Sequence, residues 1–324
     1  MTYLVTGAAG FIGFHVAKTL LARGETVLGI DNLNDYYPPQ LKHARLEQLA
    51  GEPGFTFREC DIADMQQLAS AVSGSKPARI IHLAAQAGVR YSIENPHAYV
   101  QSNVVGHLNM LELARHCDSL QHMCYASSSS IYGGRTDLPL RETDRADEPV
   151  SLYAATKKAD ELMSHTYAHL YRIPLTGLRF FTVYGPWGRP DMAYWSFTQK
   201  IIAGETIQVF NHGDMLRDFT YIDDIVDGIL RIADRGHVRD LATPHAVYNI
   251  GNNNPERLDR FIGVIERLVG KQAVREYLPM QPGDVPATYA DITAIHDDYG
   301  FSPSTGLDEG MSRFVGWFRQ YHGV

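Results

Sequence analysis

The sequence predicts an α/β protein: a doubly wound parallel sheet followed by a smaller C-terminal domain. Three observations carry that expectation. Short apolar runs of strand length alternate with longer segments whose apolar residues recur every three or four positions, the first run ends in a glycine-rich turn, and the alternation breaks down after residue 180. At 324 residues the chain can form one large domain or two ordinary ones, and needs no disulfides to stay folded.

The strand-like runs are Tyr3-Leu4-Val5, Val27 to Ile30, Phe55-Thr56-Phe57, Arg79 to Leu83 and Met123 to Ala126. Between them Gly13 to Ala22, Ala98 to His116 and Tyr153 to Tyr171 have the spacing of amphipathic helices. Leu175 to Phe180 supplies a sixth run, after which Pro- and Gly-rich stretches appear, including Gly185 to Pro190 and Pro279 to Pro286. The expected division is therefore 1–180 for the first domain, rejoined by parts of 218–255, with 181–324 forming most of the second. With no low-complexity linker between them, the two should share one large interface.

Lys+Arg number 29 against 37 Asp+Glu, a net charge of -8 that argues against chain-wide affinity for nucleic acid or anionic lipid and leaves room for a local basic pocket. Cys60, Cys117 and Cys124 are too few and too irregularly spaced for a disulfide framework or a zinc site, so no metal is expected. No apolar run approaches the ~18 residues that span a bilayer, and the N-terminus lacks a basic, cleavable leader. A cytoplasmic protein without a membrane partner is expected.

Gly7-Ala8-Ala9-Gly10-Phe11-Ile12-Gly13 follows the first run and opens the first helix. Its glycines stand where a tight turn, close approach of backbone to a pyrophosphate, and close helix–strand packing need them. A glycine triplet alone is weak, but Asp31, followed by Asn32, closes the second run 18 residues beyond Gly13. A carboxylate there accepts a hydrogen bond from a ribose 2′-OH and repels a 2′-phosphate, which selects NAD over NADP in a Rossmann domain. Asp61-Ile62 either flank the adenine or cap and pack; Leu83-Ala84-Ala85 either border the cofactor or pack the sheet. Spacing leaves both pairs of readings open.

Tyr153-Ala154-Ala155-Thr156-Lys157 puts a phenol and an ammonium on one helix face, about 5–6 Å apart at Cβ. The ammonium and a nicotinamide cation both favour phenolate, so the phenol can serve as a base. Ser127-Ser128-Ser129-Ser130 follows the fifth run, at the strand edge where ligands bind in open α/β sheets. A serine there can hydrogen-bond a reacting oxygen; a turn satisfying its own backbone is the plainer alternative.

Together these elements resemble the extended short-chain dehydrogenase/reductase family over essentially the whole chain, and within it the NAD-dependent nucleotide-sugar epimerases. The resemblance implies Ser128, Tyr153 and Lys157 as the catalytic triad and puts Asn103 and Phe180 beside the cofactor. Family members that remove water carry an Asp-Glu pair directly after the catalytic hydroxyl, and UDP-glucuronate decarboxylases usually have Glu at the position of Ser130. Here Ser129 and Ser130 stand there, leaving a site suited to moving one hydride and one proton. That implies C4 epimerisation through a 4-keto sugar, with NAD regenerated each turnover and staying bound.

The run from Arg179 to Ala193 resembles UDP-glucuronate 4-epimerases, with Thr182 where UDP-galactose 4-epimerases usually have Asn. Thr182 and Arg189 would hold a C6 carboxylate, unless Arg189 is a loop residue bridging to Asp191. By the same resemblance Arg217 clamps a pyrophosphate, Gln208 and Phe210 flank uracil, Asp284 meets the uridine ribose, and Ser127 and Ser129 join Ser128 at the sugar. Gln281 replaces a family arginine, for which Arg90 would compensate.

The implied activity is conversion of UDP-glucuronate to UDP-galacturonate for surface or capsular polysaccharide, by a homodimer paired through helices near 98–116 and 153–171. Rival readings are a UDP-glucose or UDP-N-acetylglucosamine 4-epimerase, a UDP-glucuronate decarboxylase, or an NAD(H)-sensing protein without catalysis. The last would have no need for Ser128, Tyr153 and Lys157 together.

Overall fold

A computed structural model describes residues 1–324. Its first half alternates strand and helix: β1 Thr2–Thr6, α1 Phe11–Ala22, β2 Thr26–Asp31, α2 Pro39–Glu47, β3 Phe55–Glu59, α3 Met65–Val72 and β4 Arg79–His82. There follow the short α4 Tyr91–Glu94 and α5 Pro96–Tyr99, a π-helical turn Val100–Val105, α6 Gly106–Arg115, β5 His122–Ser128, α7 Leu152–Tyr171 and β6 Leu175–Phe180. The second half holds β7 Thr182–Tyr184, α8 Ala193–Ala203, β8 Thr206–Val209, β9 Leu216–Tyr221, α9 Ile222–Arg235, β10 His245–Ile250, β11 Pro255–Arg257, α10 Leu258–Val269, β12 Val274–Tyr277, α11 Thr293–Tyr299 and α12 Leu307–His322.

Seven strands form one sheet in the order β10-β6-β5-β4-β1-β2-β3, every neighbouring pair parallel. Helices cover both faces, α1 and α9 packed together on one, α6 and α7 on the other. That explains why the strands read as continuous apolar runs rather than alternating ones. The C-terminal unit is built on a three-stranded sheet, β11-β9-β7, and a β12-β8 pair. The chain returns to the large sheet only with α9 and β10, because β9 stays in the small sheet.

All six anticipated strands form, with edges shifted by a few residues. The helix expected over Ala98 to His116 forms as one unbroken helical run from Pro96 to Arg115, α5 passing through a π turn at Val100–Val105 into α6. The π register aims Asn103 inward, where its amide accepts from Gln86 N (2.8 Å) and donates to Gln86 O (3.0 Å) and Thr156 Oγ1 (3.0 Å). These bonds hold the segment after β4 against α7.

Candidate active site

β1 pairs with β2 on one side and β4 on the other, so the sheet changes direction of winding between β1 and β4. Ligands bind outside the strand ends at such a point. A cavity of about 740 Å³ opens there and extends to the loops of the C-terminal unit. It is lined by every residue nominated from sequence except Asn103, which is buried behind the wall and acts on Gln86 and Thr156 instead.

At the glycine-loop end, Gly7 has φ +71°, and a Cβ on it would stand 2.9 Å from Ala84 N. A Cβ on Gly13 would stand 2.0 Å from Gly7 O, so the first turn of α1 lies directly on the loop. Gly10, Phe11 and Ile12 complete this wall, and with Gly7 they leave the start of α1 open to an anion. Asp31 Oδ2 accepts from Ala9 N (3.2 Å) and Oδ1 from Leu33 N (2.9 Å), which fixes its carboxylate at the end of β2. Asn32 donates to Asp61 Oδ2 (3.3 Å), while Asp61 Oδ1 accepts from Ala63 N (2.9 Å), so Asp61 both caps locally and borders the cavity with Ile62. Thr6 Oγ1 accepts from Leu83 N and Ala84 N, binding the ends of β1 and β4 and setting Leu83, Ala84 and Ala85 on the opposite wall. The cradle fits a dinucleotide: no side chain fills it, and one carboxylate is placed for a ribose.

Two residues here escaped the sequence reading. Arg45, fully buried on α2, donates to Ala9 O (2.8 Å), Trp187 O (2.7 Å) and Gly188 O (2.8 Å), tying the glycine loop to the loop that carries Arg189. Lys42 lies 3.7 Å from Asp31. Their lone signal was two basic residues on a helix that otherwise reads as solvent-facing.

Ser151 caps α7 by accepting from Ala154 N (3.1 Å), which fixes where Tyr153 and Lys157 emerge. Phe180, at the end of β6, lines the same cavity. Lys157 is buried and donates to Asp160 Oδ2 (3.0 Å), a partner the sequence reading lacked. Burial raises the Asp160 carboxyl to about 6, with Lys157 pulling the other way. The neighbouring His82 ring is driven down to about 3 by burial and then by Lys157, so it is neutral. Ser128 ends β5 and caps the 3₁₀ turn Ser129–Tyr132, its Oγ donating to Ser130 Oγ (3.1 Å) and accepting from Ser130 N (3.2 Å). Ser129 reaches the cavity as well. Ser127 points differently: its hydroxyl donates to Glu161 Oε1 (2.7 Å), itself clamped by Arg179 through two 2.9 Å bonds. Strand alternation turns the Ser127 side chain inward, so its hydroxyl anchors β5 to α7 while the residue still lines the cavity.

At the far end every arginine has a carboxylate. Arg217 donates to Asp284 Oδ1 (2.8 Å), and Arg90 lies 3.8 Å from Asp284 Oδ2 and stacks over Phe210 with its guanidinium 4.5 Å from the ring centre. Arg90 and Arg217 thus both approach Asp284. Gln208 sits beyond, donating to Glu276 Oε2 (3.4 Å). Between this end and Tyr153 lie Thr182, at the start of β7, and Arg189. Arg189 grips Asp191 by Nε (3.0 Å) and Nη2 (2.5 Å), the loop bridge that sequence left as an alternative, yet it also lines the cavity.

The family described as GDP-mannose 4,6 dehydratase matches residues 4–314. The chain belongs to that family. As a GDP-mannose 4,6 dehydratase family member it is an extended short-chain dehydrogenase/reductase, and the relatives match nearly the whole of this chain. A probable UDP-glucuronate 4-epimerase of Rhizobium meliloti is 48% identical over 336 residues, covering 99% of this chain and 97% of the relative. UDP-glucuronate 4-epimerase 1 of Arabidopsis thaliana is 45% identical, covering 100% of this chain and 78% of the relative. Among solved structures, UDP-glucuronic acid 4-epimerase from Bacillus cereus in complex with UDP-glucuronic acid and NAD superposes with a TM-score of 0.91 at 32% identity, covering 99% of this chain and 100% of that one.

Proposed function

We propose that the protein is an isomerase that interconverts UDP-glucuronate and UDP-galacturonate by NAD-dependent epimerisation at C4. The observation that carries the reading is one continuous cavity that joins the glycine cradle and Asp31 to Ser128, Tyr153 and Lys157, and continues past Thr182 and Arg189 to Arg217 and Asp284. Similarity to UDP-glucuronate 4-epimerases over nearly the full chain supports it.

The glycine loop and the start of α1 would hold the NAD pyrophosphate, and Asp31 the adenosine ribose. NAD, when bound, supplies an acceptor and then a donor for the C4 hydride. Tyr153 takes the proton from the 4-OH and returns it, and Ser128 hydrogen-bonds the same oxygen. Lys157 contributes positive charge beside the phenol. Thr182 and Arg189 hold the C6 carboxylate near the plane of the C4 carbonyl, which keeps the C5–C6 bond out of line with its π system and slows loss of CO₂. Arg217, with Arg90, holds the diphosphate, while Gln208 and Phe210 flank the uracil and Asp284 the uridine ribose. Ser129 and Ser130 offer no acid or base for dehydration.

We read residues 1–180, rejoined from Ile222 through β10, as the NAD-binding domain and most of the remainder as the UDP-sugar domain. Leu162 and Leu170, both 60% exposed and eight residues apart on α7, support a homodimer paired through α6 and α7. No helix is long and apolar enough to cross a membrane. A cytoplasmic enzyme supplying polysaccharide synthesis is the setting we propose. Comparing kcat/KM for UDP-glucuronate, UDP-glucose and UDP-N-acetylglucosamine tests the substrate: preference for the acidic sugar is expected, and faster turnover of either neutral sugar overturns it.

A further inference from the structure

Arg189 brings its guanidinium to the cavity already occupied on one edge. Nε and Nη2 both point to Asp191, and Nη1 meets no protein acceptor. The carboxylate is seated in turn: Tyr36 donates to Asp191 Oδ2 (3.1 Å) from the loop after β2. Tyr36 is itself wedged, its ring 4.8 Å from that of Tyr91 and its hydroxyl where a Cβ on Gly88 would stand 2.6 Å away. Arg189, Asp191 and Tyr36 line the same cavity as Tyr153. Burial opposes the charge on Arg189, but Asp191 more than offsets this, with Tyr36 and Tyr153 adding to it, and the guanidinium stays firmly protonated.

A guanidinium has two edges able to take a carboxylate in a fork. With the Nε edge filled, a ligand carboxylate can meet only the Nη1 end, so Asp191 sets the angle at which it is held. The pair is also close to neutral. A ligand carboxylate therefore gains less than it would from a bare buried cation, and its departure strands no unpaired charge. Epimerisation requires both properties. The hexose must turn over between removal and return of hydride, so C6 must be gripped, released and gripped again. A lone arginine would hold too well.

Resting on the proposed UDP-glucuronate reading, we propose that Asp191, seated by Tyr36, is a positioning and specificity-determining residue that fixes the free edge of Arg189 and moderates its hold on the substrate carboxylate. Asp191→Asn keeps the shape and removes the counter-charge. In the holoenzyme we expect it to tighten UDP-glucuronate binding about three- to tenfold by calorimetry while leaving UDP-glucose affinity within about twofold, and to lower kcat about tenfold or more. Tyr36→Phe should move both quantities the same way by less.

Loss of affinity for UDP-glucuronate in Asp191→Asn overturns the proposal, as does equal weakening of both nucleotides with a lower Tm, which would mark a merely structural loop contact. Unchanged affinity and kcat overturn it too. Because the binding comparison needs no turnover, wild-type protein that binds but fails to epimerise UDP-glucuronate would sink the functional reading while the affinity shift still decides the role of Asp191.

Discussion

The two ends of the cavity are built from different materials. At the cofactor end the wall is built from backbone and a fixed carboxylate: Gly7 and Gly13, by having no side chain, let the loop pack directly on β4 and α1, and Asp31 is fixed by Ala9 N and Leu33 N. At the sugar-nucleotide end, charge is supplied as arginine–carboxylate pairs, Arg189 with Asp191 and Arg217 with Asp284. A backbone cradle offers fixed partial charges and suits a ligand that stays. Paired arginines keep each cation satisfied when the site empties, which suits a ligand that must enter, turn and leave.

The largest effect should come at the junction between the ends. Tyr153→Phe should fold and retain NAD, yet lose kcat by about 10²–10⁴ because the proton acceptor is gone. Near-normal turnover would remove Tyr153 from the mechanism. Arg217→Met should next raise KM for the UDP-sugar by about 10–100-fold through loss of a charge-assisted fork, with the NAD content of the purified protein unchanged. Parallel loss of NAD would erase the distinction between the two ends. Arg189→Ala should raise KM for UDP-glucuronate about tenfold and increase the share of decarboxylated or NADH-trapped product, read by mass spectrometry. An unchanged KM and product ratio would place Arg189 outside the carboxylate site.

The smallest effect at working pH concerns stability. His15, His82, His122 and His245 sit in the interior, where burial lowers their rings to about 4, 3, 3 and 4. Each folded value lies below the ordinary histidine value of the unfolded chain. Their contribution is therefore complete above pH ~6.5 and is lost as pH falls toward 3–4, by at most about 1.4 kcal/mol per pH unit each. Burial of His107, His237 and His322 adds to the same trend, while Asp160, raised to about 6 by burial, works the other way together with the raised Glu142, Asp218 and Asp223. Tm should be flat from about pH 7 to 8 and fall below pH 6. A Tm that holds steady down to pH 5 would contradict neutral burial of these rings.

The same contrast decides what was legible beforehand. Gly7 to Gly13, Asp31, Ser128, Tyr153 and Lys157 act through spacing along one loop, strand or helix, so sequence placed each of them on the cavity wall. The sugar end could be nominated only through resemblance, because Arg217 and Asp284 meet across 67 residues of chain. Arg45 and Tyr36 were missed for the same reason: their partners, Trp187 and Asp191, lie more than 140 residues away. Periodicity does not reveal the π turn that turns Asn103 inward, and four adjacent hydroxyls do not say that Ser127 is the one bonded to Glu161.

The most direct test of the account is to incubate purified protein with UDP-glucuronate, adding no NAD, and to follow C4 configuration by NMR. Accumulation of UDP-galacturonate to a steady ratio, without net NADH, is the expected result, since the backbone cradle should carry its own NAD from the cell. No conversion by protein shown to carry NAD, or conversion only when NAD is supplied in proportion to product, would contradict it.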